Sequence, residues 1–213
     1  MNTNDLANLR RDYAGKPLTR STVEPDPFIQ FTKWLDEALS SEITDANAMF
    51  LSTVDPDGRP SGRIVLLKGL DDRGFVFFTN YESKKGADIA NNANVSLTFF
   101  WPQLQRQVHI LGTAEKISSV ESEAYFKTRP YDSQIGAWAS HQSSVIVSRA
   151  ALESRFEEMR EKFGRDVPLP PFWGGYRVTP AQIEFWQGRA SRLHDRIIYR
   201  LLDANWIIER LSP

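Results

Sequence analysis

Met49-Phe-Leu-Ser-Thr-Val54, Asp55-Pro-Asp-Gly58 and Arg63-Ile-Val-Leu-Leu-Lys68 follow one another as a β-rich run, a turn and a second apolar run. Asp, Pro and Gly each favour the tight backbone geometry of a turn, so the two runs read as neighbouring strands. The pattern repeats at once, because Asp71-Asp-Arg-Gly74 leads into Phe75-Val-Phe-Phe-Thr79. Residues 95–101 and 107–116 read as two further strands, with a short helix predicted over 84–91. Nearer the C-terminus, strands are predicted over 175–178 and 182–186, followed by a hairpin over 196–208 that turns near Asp203-Ala204-Asn205. Short strands at close spacing predict a mostly β, antiparallel barrel with helical decoration. A doubly wound parallel sheet needs strands alternating with longer helices, and that rhythm is missing.

The helices have their own signals. Asp26-Pro27 provides an N-cap and a first-turn proline, and Phe28, Phe31, Leu35 and Leu39 follow at helical spacing. A helix over 120–128 is ended or kinked by Pro130. Ser148 opens a charged amphipathic helix through Phe163, with Leu152, Phe156 and Met159 on one face, and Pro168 to Pro171 breaks the pattern. Residues 1–25 read as a polar arm without a core of its own, and 26–213 as a single domain.

The 213 residues carry a formal net charge of −1, which gives no global reason to bind nucleic acid or an anionic membrane. Any anion site must be a local cluster. Cysteine is absent, which removes disulfides, thiolate metal sites and a thiol nucleophile together. The polar N-terminus and the lack of a long apolar run predict a soluble, cytoplasmic protein with no membrane association. His109, His141 and His194 stand far apart with no ligand-like partner at helical spacing, so no metal site is expected. Gly-rich nucleotide loops are absent too.

Three clusters could carry chemistry. Arg63 and Lys68 combine with Ser83-Lys84-Lys85, which opens the short helix; a helix N-terminus presents free N–H groups to an anion, and the lysines add full charges. Tyr125 and Arg129, one helical turn apart, with Ser133 beyond the proline, suit a second phosphate. Gln107 and Gln142-Ser143-Ser144 add neutral groups able to read a polar heterocycle. The third cluster is Arg192-Leu-His-Asp-Arg196, after Phe185-Trp-Gln-Gly188. If that segment is extended, Arg192, His194 and Arg196 share one face beside a tryptophan, suited to a flat anionic aromatic ligand. Two anion sites without a metal or an activated nucleophile mean that any catalysis rests on an aromatic, phosphorylated cofactor.

Five ordered motifs then resemble the pyridoxine/pyridoxamine 5′-phosphate oxidase family: Arg63 to Lys68, Arg129-Pro-Tyr-Asp-Ser-Gln-Ile-Gly-Ala-Trp138, Gln142-Ser-Ser144, Pro168-Leu-Pro-Pro-Phe-Trp-Gly-Gly175, and Gln182-Ile-Glu-Phe-Trp-Gln-Gly188 through Arg196. The resemblance covers nearly the whole chain. It implies a homodimeric FMN-binding split barrel, with FMN in clefts between the subunits. The implied activity is oxidation of pyridoxamine or pyridoxine 5′-phosphate to pyridoxal 5′-phosphate, by hydride transfer from substrate C4′ to flavin N5, with O2 giving hydrogen peroxide. It further implies FMN contacts at Arg63, Ile64, Val65, Leu66, Leu67 and Lys68, at Phe78, Thr79, Lys84 and Lys85, and at Gln107, Gln142, Ser143, Trp186 and Arg196. On the substrate side it implies Lys68, Tyr125, Arg129 and Ser133, then Arg192, Leu193 and His194, with Arg192 and His194 closest to the chemistry. The arm segment Arg10, Arg11, Asp12 and Tyr13 matches a family segment that can close over the substrate. Two positions depart from the pattern: Lys84 stands where arginine is common, and Phe78 where tyrosine is common. A non-catalytic split-barrel protein that binds flavin or pyridoxal phosphate is the competing expectation.

Overall fold

The computed structural model describes residues 8, 9 and 12–213. Helix α1 (Pro27–Leu39) starts where Asp26-Pro27 predicts it, with the Asp26 carboxylate accepting the Phe28 N–H at 2.7 Å. Strand β1 (Ala48–Val54) alternates, burying Met49, Leu51 and Thr53, as a half-buried strand must. The Asp55 carboxylate then accepts N–H groups of Asp57 and Arg59 at 3.0 and 2.8 Å, and Gly58 takes a φ of +80°. That turn returns the chain as β2 (Pro60–Leu66), antiparallel to β1 with Arg63 opposite Leu51 and Ser61 opposite Thr53. A second tight turn joins β3 (Gly69–Asp71) to β4 (Gly74–Asn80).

The remaining elements are α2 (Lys84–Asn91), β5 (Asn94–Trp101), β6 (Arg106–Lys116), α3 (Ser119–Thr128), α4 (Tyr131–Ala139), α5 (Arg149–Phe163), β7 (Trp173–Gln187), a 3-10 turn (Ala190–Arg192), β8 (Asp195–Leu202) and β9 (Asn205–Leu211). The strands are hydrogen-bonded in the order β2-β1-β5-β6-β7-β4-β3, with β8 on β7 and β9 on β8. The β4–β7, β7–β8 and β8–β9 pairs are antiparallel. This is the mostly β architecture with helical additions that the turn-and-run pattern predicts.

Some details differ from the sequence reading. The strands expected over 175–178 and 182–186 are one strand, β7, which changes partner along its length: residues 173–178 pair with β4 and residues 182–187 with β8. Thr179-Pro180 lies in the interval between those two ladders, where a proline removes no hydrogen bond of either. Helix α4 was not anticipated at all.

The chain forms two compact units, one of residues 1–47, 97–111 and 180–213, the other of 48–96 and 112–179. In the first, Phe31 meets Phe99 and Trp34 meets Phe185 edge-on, at centroid distances of 4.9 and 5.2 Å. Residues 12–25 contain no helix or strand, yet they are pinned to this unit: the Leu18 N–H donates to Asp195 at 3.0 Å, and Arg210 donates to the Leu18 carbonyl at 2.8 Å. In the second unit Leu51, Phe75, Phe77 and Tyr176 are buried, and Phe126, Ile135, Val167 and Trp173 form a cluster under α3 and α4. No helix among the described residues is long and apolar enough to cross a membrane.

Candidate active site

The second unit holds a cavity of about 760 Å³ lined by β2, the end of β4, the start of α2, and residues of α3 and β7. Its polar end is built by local rules. Ser83 caps α2, accepting the Gly86 N–H at 3.3 Å while its hydroxyl donates to the Asn80 carbonyl at 2.7 Å. A Cβ on Gly86 would lie 2.0 Å from the Tyr81 carbonyl oxygen, so only glycine lets the helix start this close to β4. The helix N-terminus thereby faces the cavity beside Lys84 and Lys85.

Those two lysines are not equivalent. Lys84 pairs with Asp88 at 3.1 Å, one turn along α2, and is half exposed. Lys85 is buried, and its ammonium donates only to neutral oxygens: Thr79 Oγ1 at 3.1 Å, Ser83 Oγ at 3.2 Å and Gln142 Oε1 at 2.8 Å. Burial, aided by the Arg63 charge, pushes the Lys85 ammonium down to about 8. Arg63 donates to Thr53 Oγ1 and Ser61 Oγ at 2.7 Å each, and stands 3.9 Å from Asp88. Asp88 itself is buried and accepts the Thr53 hydroxyl at 2.7 Å; the hydrogen bonds it receives hold its carboxyl below the usual carboxylate range against the opposing effect of burial. Arg63, Lys84 and Lys85 against Asp88 leave the cluster two positive charges in surplus, matching a phosphate monoester dianion.

The other end of the cavity is aromatic. Phe78 stacks on Tyr125 with centroids 3.8 Å apart, and Trp173 lies nearly parallel to both rings. Arg129 sits over Trp173 at 4.6 Å. Burial lowers its pKa, and its Nη1 is enclosed with no hydrogen-bond partner. No carboxylate lies within 4 Å of Arg129 or Lys85 among the described residues. An enclosed cation with an unused donor is costly unless an anion completes it. Ser133 joins Arg129 in an adjoining recess of about 250 Å³.

The cavity thus brings together most of the expected residues: Arg63, Ile64, Val65, Leu66, Lys68, Phe78, Thr79, Lys84, Lys85, Tyr125, Arg129, Gln142 and Ser143. Leu67 is buried and is not part of the lining. Sequence reasoning missed Asp88, Thr53, Asn80 and Trp173. The Lys84–Asp88 spacing of four on one helix was a readable signal for the first, and Trp173 stands inside the Pro168 to Gly175 motif; nothing local marked Thr53 or Asn80.

Trp186, His194, Arg196 and Gln107 belong to the first unit. Here the extended reading of residues 192–196 is corrected. Ser191 and Arg192 take left-handed φ values of 57° and 60°, and β8 begins only at Asp195. Arg192 therefore does not share a strand face with His194 and Arg196; it projects from a turn that non-glycine residues adopt only under constraint. His194 packs against Trp186 at 4.6 Å and Tyr13 at 5.4 Å. The Arg189 N–H donates to His194 Nδ1 at 3.1 Å, so the neutral ring carries its proton on Nε2. Arg196 lies opposite Trp186 in the β7–β8 register. Of the expected arm residues, Tyr13 touches Trp186 edge-on and Asp12 is exposed; Arg10 and Arg11 lie outside the described residues.

Residues 35–163 match a sequence profile described as pyridoxamine 5′-phosphate oxidase, and residues 173–213 one described as the pyridoxine 5′-phosphate oxidase C-terminal dimerisation region. The chain belongs to the pyridoxamine 5′-phosphate oxidase family. Relatives named pyridoxine/pyridoxamine 5′-phosphate oxidase agree: one from Cupriavidus taiwanensis is 58% identical over 98% of this chain and 99% of its own length. Another from Nostoc punctiforme is 54% identical over 98% of each chain. Among solved structures, PhzG from Burkholderia lata, in complex with tetrahydrophenazine-1-carboxylic acid, has a TM-score of 0.88 at 29% identity, covering 93% of this chain and 99% of its own. A pyridoxamine 5′-phosphate oxidase-related, FMN-binding protein from Nostoc punctiforme has a TM-score of 0.69 at 19% identity, covering 90% of this chain and 100% of its own, and shares the fold. Within this family, the dimerisation region of the chain carries Trp186, Arg192, His194 and Arg196.

Proposed function

We propose that the chain is an FMN-dependent homodimeric oxidase that converts pyridoxamine 5′-phosphate and pyridoxine 5′-phosphate to pyridoxal 5′-phosphate. The observation that carries this reading is the pair of cations in one cavity that no carboxylate balances among the described residues: Lys85 at the α2 N-terminus, and Arg129 with its unused Nη1. One suits the phosphate of FMN and the other the phosphate of the substrate. Bound FMN supplies a two-electron acceptor that O2 can regenerate with release of hydrogen peroxide.

The chain's own work is binding, orientation and proton placement. Lys85, Arg63 and the α2 N–H groups hold the cofactor phosphate, with Lys84 an outer charge tethered by Asp88. Gln107, Gln142, Ser143, Trp186 and Arg196 serve the flavin. Arg129, Tyr125, Ser133 and Lys68 hold the substrate phosphate, which places the substrate's C4′ for hydride loss. The amine of pyridoxamine phosphate leaves as ammonia once the resulting imine is hydrolysed, and the alcohol of pyridoxine phosphate gives the aldehyde directly. A guanidinium offers donors and no acceptor, so Arg192 orients rather than acting as a base. His194 donates through Nε2, because its Nδ1 is occupied by the Arg189 N–H.

The test is aerobic turnover of the purified, FMN-loaded protein with each vitamer, with and without its phosphate. Peroxide and pyridoxal phosphate are expected from both phosphorylated vitamers and neither from the dephosphorylated forms. A protein that binds FMN yet makes no peroxide from either vitamer is instead the non-catalytic flavin binder.

A further inference from the structure

Glu184 is a buried carboxylate that the proposed reaction leaves without a role. It lies on β7, two residues before Trp186; in the β7–β8 register Trp186 faces Arg196 and Glu184 faces Ile198. Glu184 and Arg196 are therefore diagonal cross-strand neighbours, within reach of each other on one face of the pair. Their contact is fork to fork, Arg196 Nε donating to Oε1 at 2.7 Å and Nη2 to Oε2 at 3.0 Å. Arg196 Nη1 donates to the Ser212 carbonyl at 2.9 Å. No other cation lies within 4 Å of Glu184 among the described residues.

A guanidinium has five N–H donors. Three are used here, and one on Nη1 and one on Nη2 are left. Two parallel hydrogen bonds to a buried carboxylate fix the guanidinium plane, and the carboxylate charge cancels that of the arginine. We propose that Glu184 is a positioning residue that acts through Arg196: it aims the two remaining N–H donors at the flavin and makes the arginine a directed donor without net charge. This rests on the assignment of Arg196 to the cofactor.

The test is a double-mutant cycle on the FMN dissociation constant, read by flavin fluorescence as the full-length apoprotein is titrated. A charge-assisted hydrogen-bonded group is worth about tenfold in binding, so Arg196→Ala and Glu184→Ala are each expected to weaken FMN by about that factor. The double variant is expected to be no weaker than Arg196→Ala alone. Glu184→Gln preserves shape and one acceptor but uncovers the arginine charge, and is expected to raise the reduction potential of the bound flavin. A merely structural carboxylate leaves that potential unmoved. Losses that multiply in the double variant, or a Glu184→Gln potential equal to wild type, overturn the proposal. If Glu184→Ala does not fold, Glu184→Gln takes its place in the cycle. If Arg196→Ala leaves FMN affinity unchanged, the assignment of Arg196 itself fails. If Arg196→Ala weakens FMN and Glu184→Ala does not, only the role of Glu184 fails.

Discussion

Lys85 and Arg129 show how single side chains carry a ligand's signature. Lys85 is buried among neutral acceptors and titrates near 8, so the folded protein releases this proton at a pH where the unfolded chain still holds it. The fold therefore gains stability as pH rises from about 8 toward the ordinary lysine value. Phosphate binding runs the other way, because the anion needs the protonated amine. FMN affinity is expected to fall as pH rises above 8, by up to about tenfold per unit, over a range where the phosphate is already fully ionised. Lys85→Met should bind FMN weakly with a flat profile; a sloping profile in that variant contradicts the assignment. Arg129 carries the opposite trade. Its desolvated charge has no anion in the free protein, so Arg129→Met is expected to stabilise the fold by about 1 kcal/mol, roughly 2–4 °C in Tm. The same variant should raise the KM for pyridoxamine phosphate at least about tenfold while FMN stays bound. Loss of FMN together with substrate contradicts the division of the cavity into two phosphate sites.

At the scale of elements, local chemistry made much of the chain legible. Asp26-Pro27, Ser148 and the Asp55 to Gly58 turn work as caps and turns work everywhere, and α2 occupies the predicted 84–91. The failures have physical causes. Pro130 was read as a helix end, but it is also the N-cap position of α4, whose buried stripe is only Ile135 and Ala139; so sparse a stripe gives no helical signal. The long strand β7 hid because proline is a breaker only where a ladder needs its N–H. The segment 192–196 looked extended because alternation of charged residues mimics a strand, whereas two left-handed residues cannot be read from Ser-Arg. The α2 start is the element on which the proposed phosphate site depends most. Gly86→Ala forces the helix away from the Tyr81 carbonyl, and is expected to cost about 1–3 kcal/mol in a urea melt and to weaken FMN. An unchanged melt and unchanged FMN affinity would show that the helix start tolerates displacement.

For the whole molecule, the composition excluded more than it identified: no cysteine chemistry and no large net charge. The candidate site was legible as residue types, since thirteen of the expected residues line a single cavity of about 760 Å³. What remained hidden is what long-range folding alone decides: the Thr53 and Ser61 contacts to Asp88 beneath the cations, the Trp173 stack, and the Glu184 fork behind Arg196. The claim that unites these scales is that two phosphorylated rings meet here and exchange two electrons. The direct measurement is anaerobic mixing of the FMN-loaded protein with pyridoxamine 5′-phosphate in an absorbance spectrometer. The account expects the visible flavin band to bleach in a single turnover, with one pyridoxal phosphate formed per flavin. A flavin that stays oxidised in the presence of excess substrate would contradict it.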